Sequence, residues 1–144
     1  MSHRSSVEAF ERCMKTICDR RKIKTLQVQS FKDLPLGMEV QRSIKELGYG
    51  ELFPIQAQAI MPLLEGKDVI GQAQTGTGKT AAFGVPMVER LDPQVRKVQG
   101  LILAPTRELA MQVARNMACF AKYRGLRVLP VYGEIGRASC RERV

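Results

Sequence analysis

The sequence predicts an α/β fold in which a mainly parallel β-sheet is flanked by helices. Three apolar segments have the length of strands: VIGQA at 69–73, GLILAP at 100–105 and LRVLPVYG at 126–133. Segments with helical periodicity separate them, and a glycine-rich loop follows the first strand directly. Strand, helix, strand, helix, strand in this order is typical of α/β architecture with right-handed crossovers. At 144 residues, the chain is long enough for one such domain.

Two helices are predicted before the loop. In 36–47, Val40, Ile44 and Leu47 follow helical spacing, and Gly48 is well placed to end that helix. Pro54 suits the first turn of the second helix, in which Pro62 is predicted to introduce a bend. The buried side of the second helix is predicted to consist of Ile55, Ala59, Ile60, Leu63 and Leu64.

Two further helices are predicted after the loop. The first runs from Lys79 to Leu91, and its Gly84 and Pro86 suggest a kink. GLILAP is then predicted to be a strand buried on both faces. Thr106 is a natural N-cap for the next helix, which closes near Gly125. The residues predicted to share its apolar side are Leu109, Val113, Met117 and Phe120.

The two ends of the chain differ from its body. Residues 1–24 form a predicted basic helical extension, with an apolar stripe that packs on the domain or, alternatively, a basic face that touches RNA or a partner. Residues 135–144 have neither period nor apolar face, and we predict that they are non-native sequence. Of the net charge of +9, six charges lie in these two ends, so the body is only mildly basic.

Composition excludes several classes of protein. No segment has the roughly 18 apolar residues of a membrane span, and the first thirty residues lack a secretory apolar block. We therefore expect a soluble, cytoplasmic chain without a membrane partner. The four cysteines form no Cys-x-x-Cys pair and His3 is the single histidine, so a zinc site is not expected.

The loop AQTGTGKT has the chemistry of a phosphate site. Gly76 and Gly78 permit close approach of a phosphate, and successive N–H groups from Thr75 to Thr80 supply donors at a helix N-terminus. Lys79 is expected to reach the outer phosphates, and the Thr80 hydroxyl to bind Mg²⁺. The predicted binding residues for ATP are Ala73, Gln74, Thr75, Gly76, Thr77, Gly78, Lys79 and Thr80.

Hydrolysis needs more than this loop. Carboxylates must hold the metal and position a water molecule, and they usually follow a second strand. The acidic residues after the loop are Glu89, Asp92, Glu108, Glu134 and Glu142, and none of them ends an apolar strand. We therefore expect that Lys79 and Thr80 have catalytic partners elsewhere and that this chain alone has little ATPase activity.

Three motifs together resemble the amino-terminal RecA-like domain of the DEAD-box RNA helicases. AQTGTGKT at 73–80 is similar to that family's phosphate loop, including the leading alanine, and PTRELA at 105–110 is similar to its next motif. GYGELFPIQ at 48–56 is similar to its adenine-recognising glutamine motif, although Leu52 and Phe53 differ from the proline and threonine that are common there. The resemblance implies a partial RecA-like ATP-binding domain over 25–134.

The resemblance also implies roles for individual residues. Gln56 would hydrogen-bond the adenine edge, since an amide both donates and accepts; without its neighbours it would be interpreted as a solvent-facing helix residue. Phe31, seventeen residues before Gly48, would wall the base pocket. The residues expected to face the RNA backbone, with weak base preference, are Pro105, Thr106, Arg107 and Gly133.

The resemblance therefore favours the ATP-binding front part of an ATP-dependent RNA helicase. A non-catalytic nucleotide-binding or partner-docking module is the main alternative, and its protein partners are not identified by the sequence. A small kinase with a phosphate loop is a weaker alternative, because Gln56 and PTREL would then be coincidences.

Overall fold

The computed structural model describes residues 29–133. This part of the chain forms a 3₁₀ turn at Phe31–Asp33 and four α-helices: α1 at Met38–Glu46, α2 at Pro54–Leu64, α3 at Lys79–Arg90 and α4 at Arg107–Phe120. None of these helices is long and apolar enough to cross a membrane. The predicted extension at 1–24 and the predicted non-native tail at 135–144 lie outside the described residues.

Local sequence signals set three helix ends as predicted, whereas α4 ends at Phe120, before the Gly125 that was expected to close it. Helix α1 ends with Leu47 as its C-cap, and Gly48 follows with a φ of +76°. Helix α2 begins at Pro54. Helix α4 begins after Thr106, whose hydroxyl accepts a hydrogen bond of 3.2 Å from the Leu109 amide. A capping hydroxyl satisfies one of the otherwise unpaired donors of a first helical turn.

The predicted apolar residues of the helices are buried or half-buried with two exceptions: Leu47, the C-cap of α1, is 41% exposed, and Leu109 of α4 is exposed as well. Val40 and Ile44 of α1 are buried, as are Ala59 and Ile60 of α2, whose other predicted apolar residues are half-buried. On α4 the apolar stripe begins later than expected, because the first turn is exposed and Leu109 retains 39% of its accessible surface. Three residues of that helix enter the core: Val113, Met117 and Phe120.

Helix α3 lies at the centre of the packing. It packs against α2 on one side and α4 on the other, while α1 contacts both α3 and α4. Half of its residues are buried, namely Ala81, Ala82, Gly84, Val85, Pro86 and Val88. Since α3 starts directly at the glycine loop, the position of the loop is set by the core of the domain.

Gly84 explains how α3 and α4 approach each other so closely. A Cβ atom at this position would lie 2.8 Å from Met117 Sδ and 3.1 Å from the Phe120 ring. Both neighbours are buried, so neither can move aside freely. The glycine and Pro86 that suggested a kink are both accommodated within one continuous helix.

The segments predicted to be strands form no regular secondary structure in the described part of the chain. Within residues 29–133 the β-type pairing is one antiparallel bridge between Ser30 and Glu51, and no ladder joins the three apolar segments. The expectation that GLILAP is buried on both faces is wrong in this structure. Ile102 packs on the core, whereas Leu101 and Leu103 are 75% and 85% exposed. The core covers one face of this segment, and no other described element covers the second.

Polar contacts tie the helix ends together on one side of the domain. The Arg124 guanidinium donates to the carbonyls of Glu89 at 2.9 Å and Leu91 at 2.7 Å, which satisfies the C-terminus of α3. The Glu89 carboxylate accepts from the Gly37 amide at 3.0 Å. On the surface, hydrogen bonds from Lys122 and the Tyr123 hydroxyl lower the pKa of Glu46.

We predict that Gly84→Ala lowers the free energy of unfolding by about 1 kcal/mol. Overpacking a core costs about 1–3 kcal/mol, which exceeds the roughly 1 kcal/mol that alanine gains over glycine in a helix. Urea denaturation followed by circular dichroism measures the change. Gly50→Ala is the control, since a Cβ atom there meets nothing within 4 Å. A Gly84→Ala protein at least as stable as the parent would contradict the packing argument.

Candidate functional site

The glycine loop has the backbone conformation that a phosphate site requires. Gly76 and Gly78 have φ values of +80° and +77°, in the left-handed region that favours glycine. The Thr77 hydroxyl donates to the Gln74 carbonyl at 2.8 Å and holds the turn between them. Gly78 is also the N-cap of α3, and a Cβ atom there would overlap the Gln56 side chain. Alanine is therefore excluded at Gly78 on two grounds.

The loop presents a row of free backbone donors. Within residues 29–133, none of the N–H groups from Thr75 to Thr80 donates to another protein group. The next two amides, of Ala81 and Ala82, both donate to the Gly78 carbonyl at 3.1 Å. Unpaired amides at the positive end of a helix dipole attract anions. The arrangement can therefore bind a group with several negatively charged oxygens.

Lys79 adds a full positive charge to these donors. Its ammonium group donates to the carbonyls of Ala73 at 2.6 Å and Gln74 at 2.5 Å, so the side chain folds back across the loop. Thr80 follows in the first turn of α3 and is half-buried. Among the described residues there is no cluster of three or more acidic, histidine or cysteine side chains that could hold a metal ion.

Gln56 joins the loop to helix α2. Its side chain has no accessible surface, so the alternative of a solvent-facing residue is wrong. The amide oxygen accepts from the Phe53 backbone N–H at 2.9 Å, and the amide nitrogen donates to the Gly78 carbonyl at 3.1 Å. Both ends of the amide are thus used inside the protein, and one residue connects the start of α2 with the start of α3.

Phe31 lies in the core rather than on an open surface. It is 2% exposed, and its ring packs edge-on against Tyr49 with a centroid separation of 5.3 Å. Tyr49 in turn packs edge-on against Phe120 at 6.0 Å. The structure therefore places the predicted wall of the base pocket inside an aromatic cluster of the core.

Phe53 is a site residue that sequence reasoning treated only as a departure from the motif. It is 51% exposed and precedes α2 as its N-cap. One ring carbon, Cδ2, lies 3.2 Å from the position that a Cβ atom on Gly78 would occupy. The ring therefore lies against the end of the glycine loop. Its sequence signal was an aromatic residue three positions before Gln56.

The residues predicted to contact RNA form a second exposed region. Pro105, Thr106 and Arg107 are exposed at the N-terminus of α4, and Gly133 is exposed as well. The Arg107 guanidinium carbon lies 4.6 Å from the ring centroid of Tyr132, a cation–π distance. Because Tyr132 adjoins Gly133, this contact brings the two predicted segments together. Sequence reasoning missed Tyr132.

Comparison with known protein families identifies the chain. Residues 53–144 match the family model of the DEAD/DEAH box helicases. Over 110 residues the chain is 50% identical to the DEAD-box ATP-dependent RNA helicase CshA of Bacillus licheniformis, a match that covers 75% of this chain and 23% of that protein. The chain thus spans about a quarter or less of the length of the curated relatives it matches.

Solved structures show the same relationship. A DEAD box protein from the hyperthermophile Methanococcus jannaschii superposes with a TM-score of 0.70 at 29% identity, covering 80% of this chain and 32% of that one. The RNA helicase Prp28 from Chaetomium thermophilum, bound to ADP, superposes with a TM-score of 0.69 at 35% identity, covering 76% and 28%. The predicted RecA-like α/β fold class is confirmed by these neighbours. Since the family model matches more than half of its residues, the chain belongs to the DEAD/DEAH box helicase family.

Proposed function

We propose that this chain is the ATP-binding amino-terminal part of an ATP-dependent RNA helicase. The observation that supports it most directly is the loop of free amides and one ammonium group at the N-terminus of α3. The names of the relatives give the activity of complete proteins, of which this chain corresponds to a part. Duplex separation and ATP hydrolysis are therefore proposed for the whole protein.

The triphosphate of ATP would bind along the loop from Ala73 to Thr80. Its oxygens would accept hydrogen bonds from the free amides. The Lys79 ammonium group would give up its hydrogen bonds to the carbonyls of Ala73 and Gln74 and donate to the outer phosphates instead. The Thr80 hydroxyl would supply one ligand to Mg²⁺, and phosphate oxygens and water would supply the others. Such a metal ion would neutralise charge that develops on the phosphates.

We propose that Gln56 recognises adenine, and the structure implies that its amide must change hydrogen-bond partners to do so. Since its amide already bonds Phe53 and Gly78, it must release one of these partners before it can bond a base. Nucleotide binding would thereby be coupled to the position of the loop. The role of Phe31 as a wall of the base pocket stays a prediction from the sequence, because contact with a base would require its ring to leave the core.

The exposed N-terminus of α4 is the proposed RNA contact. The positive end of the helix dipole and the Arg107 guanidinium suit a phosphate oxygen, and Pro105, Thr106 and Gly133 border the same region. Contacts of this kind recognise the backbone and give weak base preference. The alternative function, a partner-docking module, depends on the basic extension at 1–24, which lies outside the described residues. The cytoplasmic location of the protein also stays a prediction from the sequence.

Replacing Lys79 by alanine is expected to weaken ATP–magnesium binding by about ten- to a hundredfold, the equivalent of one lost charged hydrogen bond. Isothermal titration calorimetry measures the affinity. Lys97→Ala, which removes the same charge from an exposed turn, should bind as the parent does. Equal affinity in the Lys79→Ala and parent proteins would refute the phosphate-loop assignment.

Gln56→Ala is expected to reduce both stability and adenine selectivity. It removes both hydrogen bonds of a fully buried side chain, to the Phe53 amide and the Gly78 carbonyl, a loss of about 1–3 kcal/mol in the free energy of unfolding. The ratio of ATP to GTP affinity should also fall. Gln58→Ala, the same change at an exposed position of α2, should alter neither quantity. An unchanged affinity ratio in a folded Gln56→Ala protein would count against base recognition by Gln56.

Arg107→Ala is expected to lower affinity for single-stranded RNA of any sequence. Losing one phosphate contact should reduce the slope of log affinity against log salt concentration by about 0.7. Fluorescence anisotropy with oligo(U) and oligo(A) at several salt concentrations measures both effects. Arg115→Ala, further along α4 and also exposed, is the charge-matched control. Identical salt slopes for the two variants would show that Arg107 does not bind phosphate.

A further inference from the structure

Phe53 is unusual among the aromatic residues of the domain. Within residues 29–133, Phe31 and Phe120 are buried, while Tyr49, Phe83, Tyr123 and Tyr132 are half-buried. Tyr123 and Tyr132 also lie beneath the guanidinium groups of Arg42 and Arg107. Phe53 alone in this range leaves about half of its surface, 51%, exposed. The large aromatic residue with the most open surface is therefore the one beside the glycine loop.

The position of Phe53 is fixed by the loop and by Gln56. Its backbone N–H donates to the Gln56 amide oxygen, and the nitrogen of that same amide bonds the Gly78 carbonyl. Its ring lies over Gly78, where no side chain intervenes. The backbone of Phe53 is thus held by two hydrogen bonds in series, while about half of the residue, 51%, remains exposed.

A nucleotide that binds along Thr75 to Thr80 has an aromatic base at the other end from its charged phosphates. The base must lie near the rim of the loop, because the sugar links it to the phosphates. An open aromatic ring at that rim offers a surface on which a base can stack. The buried Phe31 ring does not offer such a surface in this structure.

We propose that Phe53 is the stacking platform for the base of the bound nucleotide. This inference rests on the proposed nucleotide-binding function. Stacking uses the face of the base, which all purines share, so Phe53 contributes affinity without choosing between adenine and guanine. Selectivity between the two would come from Gln56, whose amide meets the edge of the base.

Phe53→Ala tests the proposal when three ligands are compared in the presence of magnesium: ATP, GTP and inorganic tripolyphosphate. We expect about tenfold weaker binding of both nucleotides, an unchanged ratio between them, and unchanged tripolyphosphate affinity. Phe53→Tyr should bind all three as the parent does. Phe53→Leu, which keeps apolar bulk without an aromatic face, should behave like Phe53→Ala. Met38→Ala, at a residue 85% exposed on α1, controls for loss of a surface apolar group.

The outcomes separate this inference from the proposed function. If the parent protein binds neither ATP nor tripolyphosphate, the proposed function fails. If the parent binds ATP and Phe53→Ala binds it equally well, the stacking role is wrong while the proposed function stands. If Phe53→Ala weakens ATP and tripolyphosphate by the same factor, Phe53 shapes the loop and does not contact the base, which also overturns the inference.

A spectroscopic measurement provides a second, independent test. The chain contains no tryptophan, so Phe53→Trp introduces a single fluorescent indole at the proposed platform. Stacking of a base on this indole should quench its fluorescence upon addition of ATP or GTP, and tripolyphosphate should leave it unchanged. Absence of quenching at saturating ATP, with binding confirmed by calorimetry, would contradict direct stacking.

Discussion

The hydrogen bond between the Gln56 amide and the Gly78 carbonyl holds the functional part of this domain together. Gly78 ends the phosphate loop and caps α3, while Gln56 lies in the first turn of α2. The Gln56 side chain has no accessible surface, so its amide has no alternative partner in solvent, whereas Gly78 is half-buried. A hydrogen bond from a fully buried amide is costly to break, because that amide would remain desolvated. This hydrogen bond therefore fixes the distance between the start of α2 and the start of α3, where the phosphate loop meets the helix.

The packing of α3 makes the position of the phosphate loop depend on the core of the domain. Its N-terminal end carries the loop, its middle packs against α4 through Gly84, and its C-terminal end is capped by Arg124. A displacement at any of these points would move the amides that start the helix. Close-packed interiors transmit such displacements because they contain little free volume. The phosphate site is thus supported along the whole length of one helix.

Much of the helical framework could be predicted from the sequence because its signals are local. Pro54 marks a helix start through its fixed backbone φ and Thr106 through its capping hydroxyl, and glycine at position 78 permits the positive φ found there. Burial of Gln56 could not be predicted in this way, since its partner is twenty-two residues away and a polar side chain in a helix ordinarily faces water. The exposed outer face of GLILAP was missed for the same reason, because burial depends on which distant elements cover a segment.

The same contrast, between local sequence signals and contacts of distant residues, applies to the two ends of the proposed nucleotide. The phosphate end depends on backbone amides, whose placement is encoded within eight consecutive residues from Ala73 to Thr80. The base end depends on side chains that reach the loop from other parts of the chain, as Gln56 and Phe53 do. Local motifs therefore identify a phosphate site directly, whereas a base pocket follows only from tertiary packing. In this domain the packing buries the aromatic ring that the motif indicated, Phe31, and leaves open one that it did not, Phe53.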